Sequence, residues 1–288
     1  MNRTVLVTGT STGFGLETAL YLAERGYTVY ATMRDLARRG SLDAAAAQRR
    51  VQLRVLRVDI TDQASITEAV QTAVAETGGI YGLVNNAGGF LRGFFEDLDD
   101  AEIRHIYETN VFGTMAMTRA VLPYMRAARR GRIAFVTSVA GHIGAPGGSV
   151  YSSTRFTQEG FAESLYQELA PLGIYVSLVA PGITRTERWT FDSGVAARAR
   201  DPQSPYATWF AQSAKIFYQA MNTSPISPRD VAEAMNQIMT VKHPKLRYII
   251  GQRAKLVIRL RRILPFEIFE RVYFGEVIRR ITGVRVKL

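Results

Sequence analysis

The sequence contains no cysteine. Disulfide bonds, thiolate catalysis and cysteine-ligated zinc are therefore excluded. Histidine is scarce, with 3 in 288 residues. No His/Asp/Glu set has the spacing of metal ligands, so no metal is expected. No apolar run approaches the ~18 residues of a membrane-spanning helix. The strand-like pattern starts directly after Met1-Asn2-Arg3, which does not fit a signal peptide. Internal repeats, low-complexity tracts and interdomain linkers are also missing. Acid is in deficit: 25 Asp and Glu stand against 36 Lys and Arg, a net charge of +11. The excess is local. From Val241 to Leu288 there are 13 basic and 3 acidic residues, against 23 and 22 in the rest. A nucleic-acid-binding domain spreads basic residues over a groove or face; here they crowd one tail, so no nucleic-acid partner is expected.

What is present begins with a glycine-rich turn. Val5-Leu6-Val7 leads into Thr8-Gly9-Thr10-Ser11-Thr12-Gly13-Phe14-Gly15 and then the helical pattern Leu16, Ala19, Leu20, Leu22. A strand, a glycine turn and a helix start leave backbone N–H groups unpaired where a dinucleotide pyrophosphate can sit. A ligand-free glycine-rich connector is the alternative; even taken alone, the stretch favours the ligand.

The chain continues as alternating strands and helices. Strands are predicted over Val5–Val7, Thr28–Met33, Val51–Val58, Ile80–Val84, Arg132–Thr137, Ile174–Val179 and Leu246–Ile250. Helices are predicted over Gly13–Arg25, Leu42–Gln48, Ile66–Glu76, Asp99–Arg126, Tyr151–Leu169 and Pro228–Thr240. This alternation predicts an α/β fold, a doubly wound parallel sheet of about seven strands with helices on both faces. Gly9, Arg34, Asp59 and Asn85 all fall at strand carboxyl ends, where such sheets bind ligands. The second strand ends in Met33 followed by Arg34, not in an acid. A cation there favours a ribose 2′-phosphate, so NADP(H) is expected over NAD(H).

Ser138 follows the fifth strand, and Tyr151 and Arg155 lie one turn apart on the next helix. A fixed cation favours the phenolate of a nearby tyrosine, which suits it to proton transfer with an alcohol or carbonyl oxygen. A serine hydroxyl can hold that oxygen. Residues 183–225 lack clean periodicity and carry Trp189, Phe191, Tyr206, Trp209, Phe210, Phe217 and Tyr218.

On Thr8-Gly9, Gly13, Gly15, Asp59, Asn85-Asn86-Ala87-Gly88, Asn110, Ser138, Tyr151 and Pro181-Gly182 with Thr184 and Thr186, the chain resembles the short-chain dehydrogenase/reductase family over residues 1 to about 250. Tyr30-Ala31-Thr32-Met33-Arg34, Asn110-Val111-Phe112-Gly113 and the basic tail resemble its 17-beta-hydroxysteroid/retinol dehydrogenase branch. The resemblance implies a Rossmann-like fold and these roles. The turn from Gly9 to Gly15 binds pyrophosphate, and Asp59 with Ile60 receives adenine. Asn86, Ala87 and Gly88 brace the cofactor, and Pro181 to Thr186, including Ile183, lies along the nicotinamide. Ser138 orients the carbonyl, Tyr151 is the acid or base, and Asn110 holds a relay water. The family pattern is Tyr-x-x-x-Lys, whereas this chain has Arg155. Arginine keeps the charge and can bond a ribose diol, but it does not readily give up a proton.

The expectation is an NADP-dependent oxidoreductase acting on a bulky apolar ketone or secondary alcohol such as a steroid, polyketide or terpenoid. Phe90, His142, Trp189 and Phe191 are expected at the substrate pocket. Residues 1–250 form the dinucleotide domain with a lid at 183–225. Residues 251–288 form a basic amphipathic extension packed on it, divided into two helices by Pro265. A homo-oligomer (dimer or tetramer) in the cytoplasm is expected, with peripheral membrane contact through the tail as an alternative to packing alone. Two rival readings stay open because of Arg155: a non-redox isomerase, dehydratase or cyclase using Tyr151, and a cofactor-binding protein without turnover.

Overall fold

The computed structural model describes residues 3–186 and 193–286. Uninterrupted Val, Leu and Ile runs suit strands covered on both faces. They form β1 (Thr4–Thr8), β2 (Thr28–Met33), β3 (Arg54–Arg57), β4 (Gly82–Asn85), β5 (Gly131–Val136), β6 (Ile174–Pro181) and β7 (Arg247–Ile250). All pairings are parallel, in the order β3-β2-β1-β4-β5-β6-β7. The chain builds outward from β1 to β3, returns to β4 beside β1, and builds outward again. The reversal makes the carboxyl ends of β1 and β4 the switch point, where crossover connections leave in opposite directions.

Alternate strand residues serve two cores. Leu6, Tyr30, Leu83, Ile133 and Phe135 face α3 (Gln63–Thr77), α5 (Thr114–Ala127) and α6 (Ser149–Leu169). Val5, Val7, Val29, Ala31 and Ala134 face α1 (Gly13–Glu24), α2 (Gly40–Arg49) and α8 (Pro228–Thr240). Leu6 is wholly buried; truncating such a leucine to alanine costs about 2–5 kcal/mol.

Three expectations are refined. The third strand is shorter than Val51–Val58, because it is a sheet edge whose Arg54 and Arg57 are exposed. The helix expected over Asp99–Arg126 is divided: α4 (Asp100–Tyr107) passes through a π-helical turn at Glu108–Gly113 before α5. Within 183–225, where periodicity fails, a helix α7 (Ala207–Asn222) forms. After β7 come α9 (Gln252–Ile263), α10 (Phe266–Phe269) and α11 (Gly275–Thr282), with Pro265 breaking the chain between α9 and α10. Ile258 and Phe269 bury themselves against Ile143, in the loop that leaves β5.

Candidate active site

The glycine turn is locked onto the end of β4. Gly9 has φ +71°, and a Cβ there would lie 2.8 Å from Ala87 Cα. At Gly15 a Cβ would collide with the Gly9 carbonyl and the Asn86 amide. The Thr8 hydroxyl accepts from the backbone N–H groups of Asn86 (3.0 Å) and Ala87 (2.9 Å). Asn86 Nδ2 donates to the carbonyls of Thr8 (2.8 Å) and Gly9 (3.0 Å). Thr10 is fully buried and its hydroxyl donates to Thr32 O, so it anchors the turn to β2. Phe14 packs into the core beneath α1. The Thr12 side chain makes no capping bond at the start of α1. Ser11, Thr12 and Gly13 stay partly exposed beside that uncapped end, where helix amides favour an anion.

At the next strand end, Arg34 is exposed, and its neighbour Asp35 accepts a hydrogen bond from Ala37 N (3.0 Å). Asp59 lies past β3 and accepts from the Thr61 N–H (3.0 Å) and hydroxyl (2.7 Å). Partial burial pushes the Asp59 carboxyl up. Its bonds from Thr61 and the charges of Arg34 and Arg57 more than offset that, so it lies below the ordinary aspartate value. Ile60 is buried and packs closely on Gly113 of the π-helical turn.

β5, α6 and the π-helical turn converge on Tyr151 and Arg155. Both residues are buried, and the guanidinium carbon lies 5.0 Å from the tyrosine ring centroid. Arg155 Nη1 donates to Val136 O (3.2 Å) and Gln158 Oε1 (2.7 Å). A Cβ on Gly88 would stand 3.1 Å from Arg155 Nη2, so glycine there leaves room for the guanidinium. Arg155 Nε is buried without a hydrogen-bond partner. Ser138 Oγ accepts from Ala140 N (3.1 Å), which leaves its hydroxyl hydrogen free to donate.

Asn110 lies in the π-helical turn and is fully buried. Its Oδ1 accepts from Gly89 N (2.7 Å), and its Nδ2 donates to Gly89 O and Thr154 Oγ1. Its backbone carbonyl accepts from Gln158 Nε2 (2.6 Å). An unbroken chain therefore runs from Arg155 through Gln158 to the Asn110 carbonyl. Sequence reasoning assigned that neighbourhood a water and missed Gln158. The signal was its place three residues after Arg155, on the same helical face.

Aromatic rings wall the tyrosine. Phe90 meets Tyr151 edge-on at 4.3 Å between centroids and stacks with Phe217 of α7 at 6.0 Å. Trp189 and Phe191 lie outside the described residues. Tyr206 and Trp209 pack with Phe94. An apolar cleft of about 310 Å³ between Trp209, Phe94 and Pro146 is also lined by Ile278, Ile281 and Val284 of the tail. His142 Nε2 is buried without a hydrogen bond, 3.5 Å from Glu159 on α6. Burial foremost, then the charges of Arg247, Arg262 and Arg261, hold its imidazole below the ordinary value despite Glu159. Past β6, Gly182 N bonds Ile250 O, Ile183 is exposed, and Thr184 donates to Gly182 O. Thr186 packs beside Gly13, bringing this loop onto the glycine turn.

Residues 3–193 match the family model described as short chain dehydrogenase. Retinol dehydrogenase 8 of Bos taurus is 34% identical, over 91% of this chain and 86% of its own. Human 17-beta-hydroxysteroid dehydrogenase type 1 is 33% identical, over 91% of this chain and 81% of its own. A solved structure of an actinorhodin polyketide ketoreductase variant with NADPH superposes with TM-score 0.72 at 26% identity, covering 86% of this chain and 95% of that one. Matched by that family model over most of its length and 33–34% identical to the two dehydrogenase relatives, this chain belongs to the short-chain dehydrogenase family of oxidoreductases, whose members act on alcohol and carbonyl groups with a nicotinamide cofactor.

Proposed function

We propose that the protein is an NADP(H)-dependent reductase of a bulky apolar ketone, or a dehydrogenase of the corresponding secondary alcohol. The observation that carries this reading is the Tyr151 site: a phenol beside a buried guanidinium, walled by Phe90 and Phe217. The residues present fit a dinucleotide. Gly9 and Gly15 have no space for a side chain, the start of α1 has no side-chain cap, and Arg155 Nε is a buried donor without a partner. When bound, the nicotinamide supplies the hydride chemistry. The chain's own groups do the rest. Ser138 donates to the substrate oxygen, Tyr151 exchanges a proton with it, and Arg155 keeps a fixed cation 5.0 Å from the tyrosine ring centroid. We assign adenine to Asp59 and Ile60, past the end of β3. The preference for a 2′-phosphate is supported by exposed Arg34, and by Asp35 being turned to its own backbone. The retinol and hydroxysteroid relatives favour a large apolar substrate, as does the ring wall. We assign the enzyme to the cytoplasm as a homo-oligomer, whose second copy would cover exposed Phe112.

The test is loss of reduced-nicotinamide absorbance with NADPH and a panel of hydrophobic ketones. Turnover by the native protein that Tyr151→Phe abolishes is expected. Arg34→Ala should raise the KM for NADPH by roughly tenfold, the scale of one hydrogen bond to a charged group, and leave NADH unaffected. Arg155 supports a second reading, a non-redox acid–base enzyme. It predicts that only Arg155→Lys turns over, while the native protein still binds NADPH.

A further inference from the structure

The tail helix α9 has two faces. Ala254 and Ile258 pack inward, Ile258 meeting Ile143. On the opposite side Leu256, Leu260 and Ile263 are 57%, 39% and 65% exposed. Their i, i+4, i+7 spacing keeps them within about 60° of one another around the axis. Arg253 and Arg259 lie roughly 60° to either side of this stripe, with Lys255 and Arg262 beyond Arg259. All four are exposed, and α9 contains no acid. The apolar surface continues past Pro265, with Phe266, Ile268 and Val272 each at least half exposed. Arg261 lies between the rings of Phe266 and Phe156, an exposed side chain of α6, so the face reaches the protein body.

We propose that this face is a docking surface for an anionic bilayer. The stripe enters the acyl–headgroup boundary, and the flanking guanidinium and ammonium groups meet lipid phosphates and carboxylates. Charge complementarity selects this occupant. In a two-fold pairing of two copies, the same patch meets itself, and the four exposed basic side chains Arg253, Lys255, Arg259 and Arg262 would face four identical ones with no acid on the helix to offset them. A lipid surface supplies the opposite sign. No helix among the described residues is long and apolar enough to cross a membrane, so the contact is a peripheral one, made in the plane of the bilayer. Because the inner face of α9 touches the loop that follows Ser138, docking sets the substrate side of the enzyme against the bilayer.

The experiment is co-sedimentation of the full chain with vesicles of phosphatidylcholine alone and of phosphatidylcholine mixed with phosphatidylglycerol. The native protein should sediment with the mixed vesicles only, and release as salt rises. Leu256→Gln, Leu260→Gln and Ile263→Gln combined should abolish sedimentation and leave the melting temperature unchanged, because those side chains already face solvent. Arg253→Gln and Arg259→Gln should each weaken binding roughly fivefold. Failure of the native protein to bind the mixed vesicles at low salt overturns the proposal, as does equal binding by the triple variant. A native oligomer that the triple variant dissolves without lipid assigns the face to a second copy, and also overturns it. None of these readouts uses turnover, so an error in the proposed substrate or cofactor leaves the outcome readable.

Discussion

At the residue scale, the informative pair is Arg155 and Gln158. A guanidinium is planar and holds several donors in fixed directions. Placed where the family pattern has lysine, it needs acceptors in matching positions. Val136 O and Gln158 Oε1 supply two, and Gln158 passes its own amide hydrogen to the Asn110 carbonyl. Gln158→Leu would leave a buried carbonyl and a buried guanidinium donor unmatched, at about 1–3 kcal/mol. Expressed at the site, that is roughly a 5- to 150-fold loss of kcat/KM. Rescue separates positioning from bulk stability. Gln158→Glu keeps an acceptor for the Arg155 guanidinium and should recover much of the kcat that Gln158→Leu loses, whereas a residue that only fills space would make the two variants alike. A Gln158→Leu enzyme with native kcat would remove Gln158 from the site. Ser138, Tyr151 and Arg155 stand out in the sequence because hydroxyl, phenol and cation at strand end and helix start are chemically distinctive. Gln158 carries no such signal until the guanidinium it serves is known to be buried.

At the element scale, strand and helix alternation was legible because burial on both faces demands unbroken apolar runs. The helix over Ala207–Asn222 was not. Only Phe210, Ala214 and Met221 of its residues are buried, too sparse a set to declare a helical period. The π-helical turn at Glu108–Gly113 was also hidden, since one extra residue in a turn leaves the composition unchanged. The sheet's first helix shows how charge joins elements. Glu17 on α1 accepts from Arg49 at the end of α2 (3.0 Å) and from Arg229 on α8 (3.1 Å). Burial pushes its carboxyl up, but hydrogen bonds and charge from both arginines outweigh burial and hold it below 4.5, its ordinary value. A lowered native pKa means the folded state binds this proton less readily than the unfolded chain. The stabilisation is full above the ordinary glutamate value and fades as pH falls through the lowered native one. Glu17→Gln should cost on the order of 1 kcal/mol at neutral pH, after allowance for the solvent exposure of both arginines. The difference between native and variant urea midpoints should close as pH drops below 4.5. A gap that stays constant with pH would mean that Glu17 acts by packing alone.

At the scale of the whole molecule, the near-neutral α/β body and the basic tail differ in composition but meet at the loop that follows Ser138. Ile258 and Phe269 lie against Ile143, and Val139 lines the same contact. These positions follow Ser138 within a few residues, so the tail braces one side of the site while the glycine turn lies across the switch point on the other. Burying two such side chains contributes about 1.5–3 kcal/mol each before the entropy of ordering three helices is subtracted. Ending the chain after Gly251 should therefore remove a modest net stability. At about 2 kcal/mol, the melting temperature would fall by roughly 4–8 °C. The kinetic signature should be one-sided. With Val139 and Ile143 uncovered, Ser138 loses its support, so kcat should fall and the KM for an apolar ketone should rise. The affinity for NADPH, read by fluorescence of the bound nucleotide, should fall less than kcat does, because the glycine turn is held by Thr32 and Asn86 while the tail reaches the loop after β6 through Ala254 beside Gly182. Equal loss of nucleotide binding would instead make the tail a determinant of the entire sheet. A truncated chain with native kcat and melting temperature would leave the tail no part in the site and confine its role to the outward face of α9.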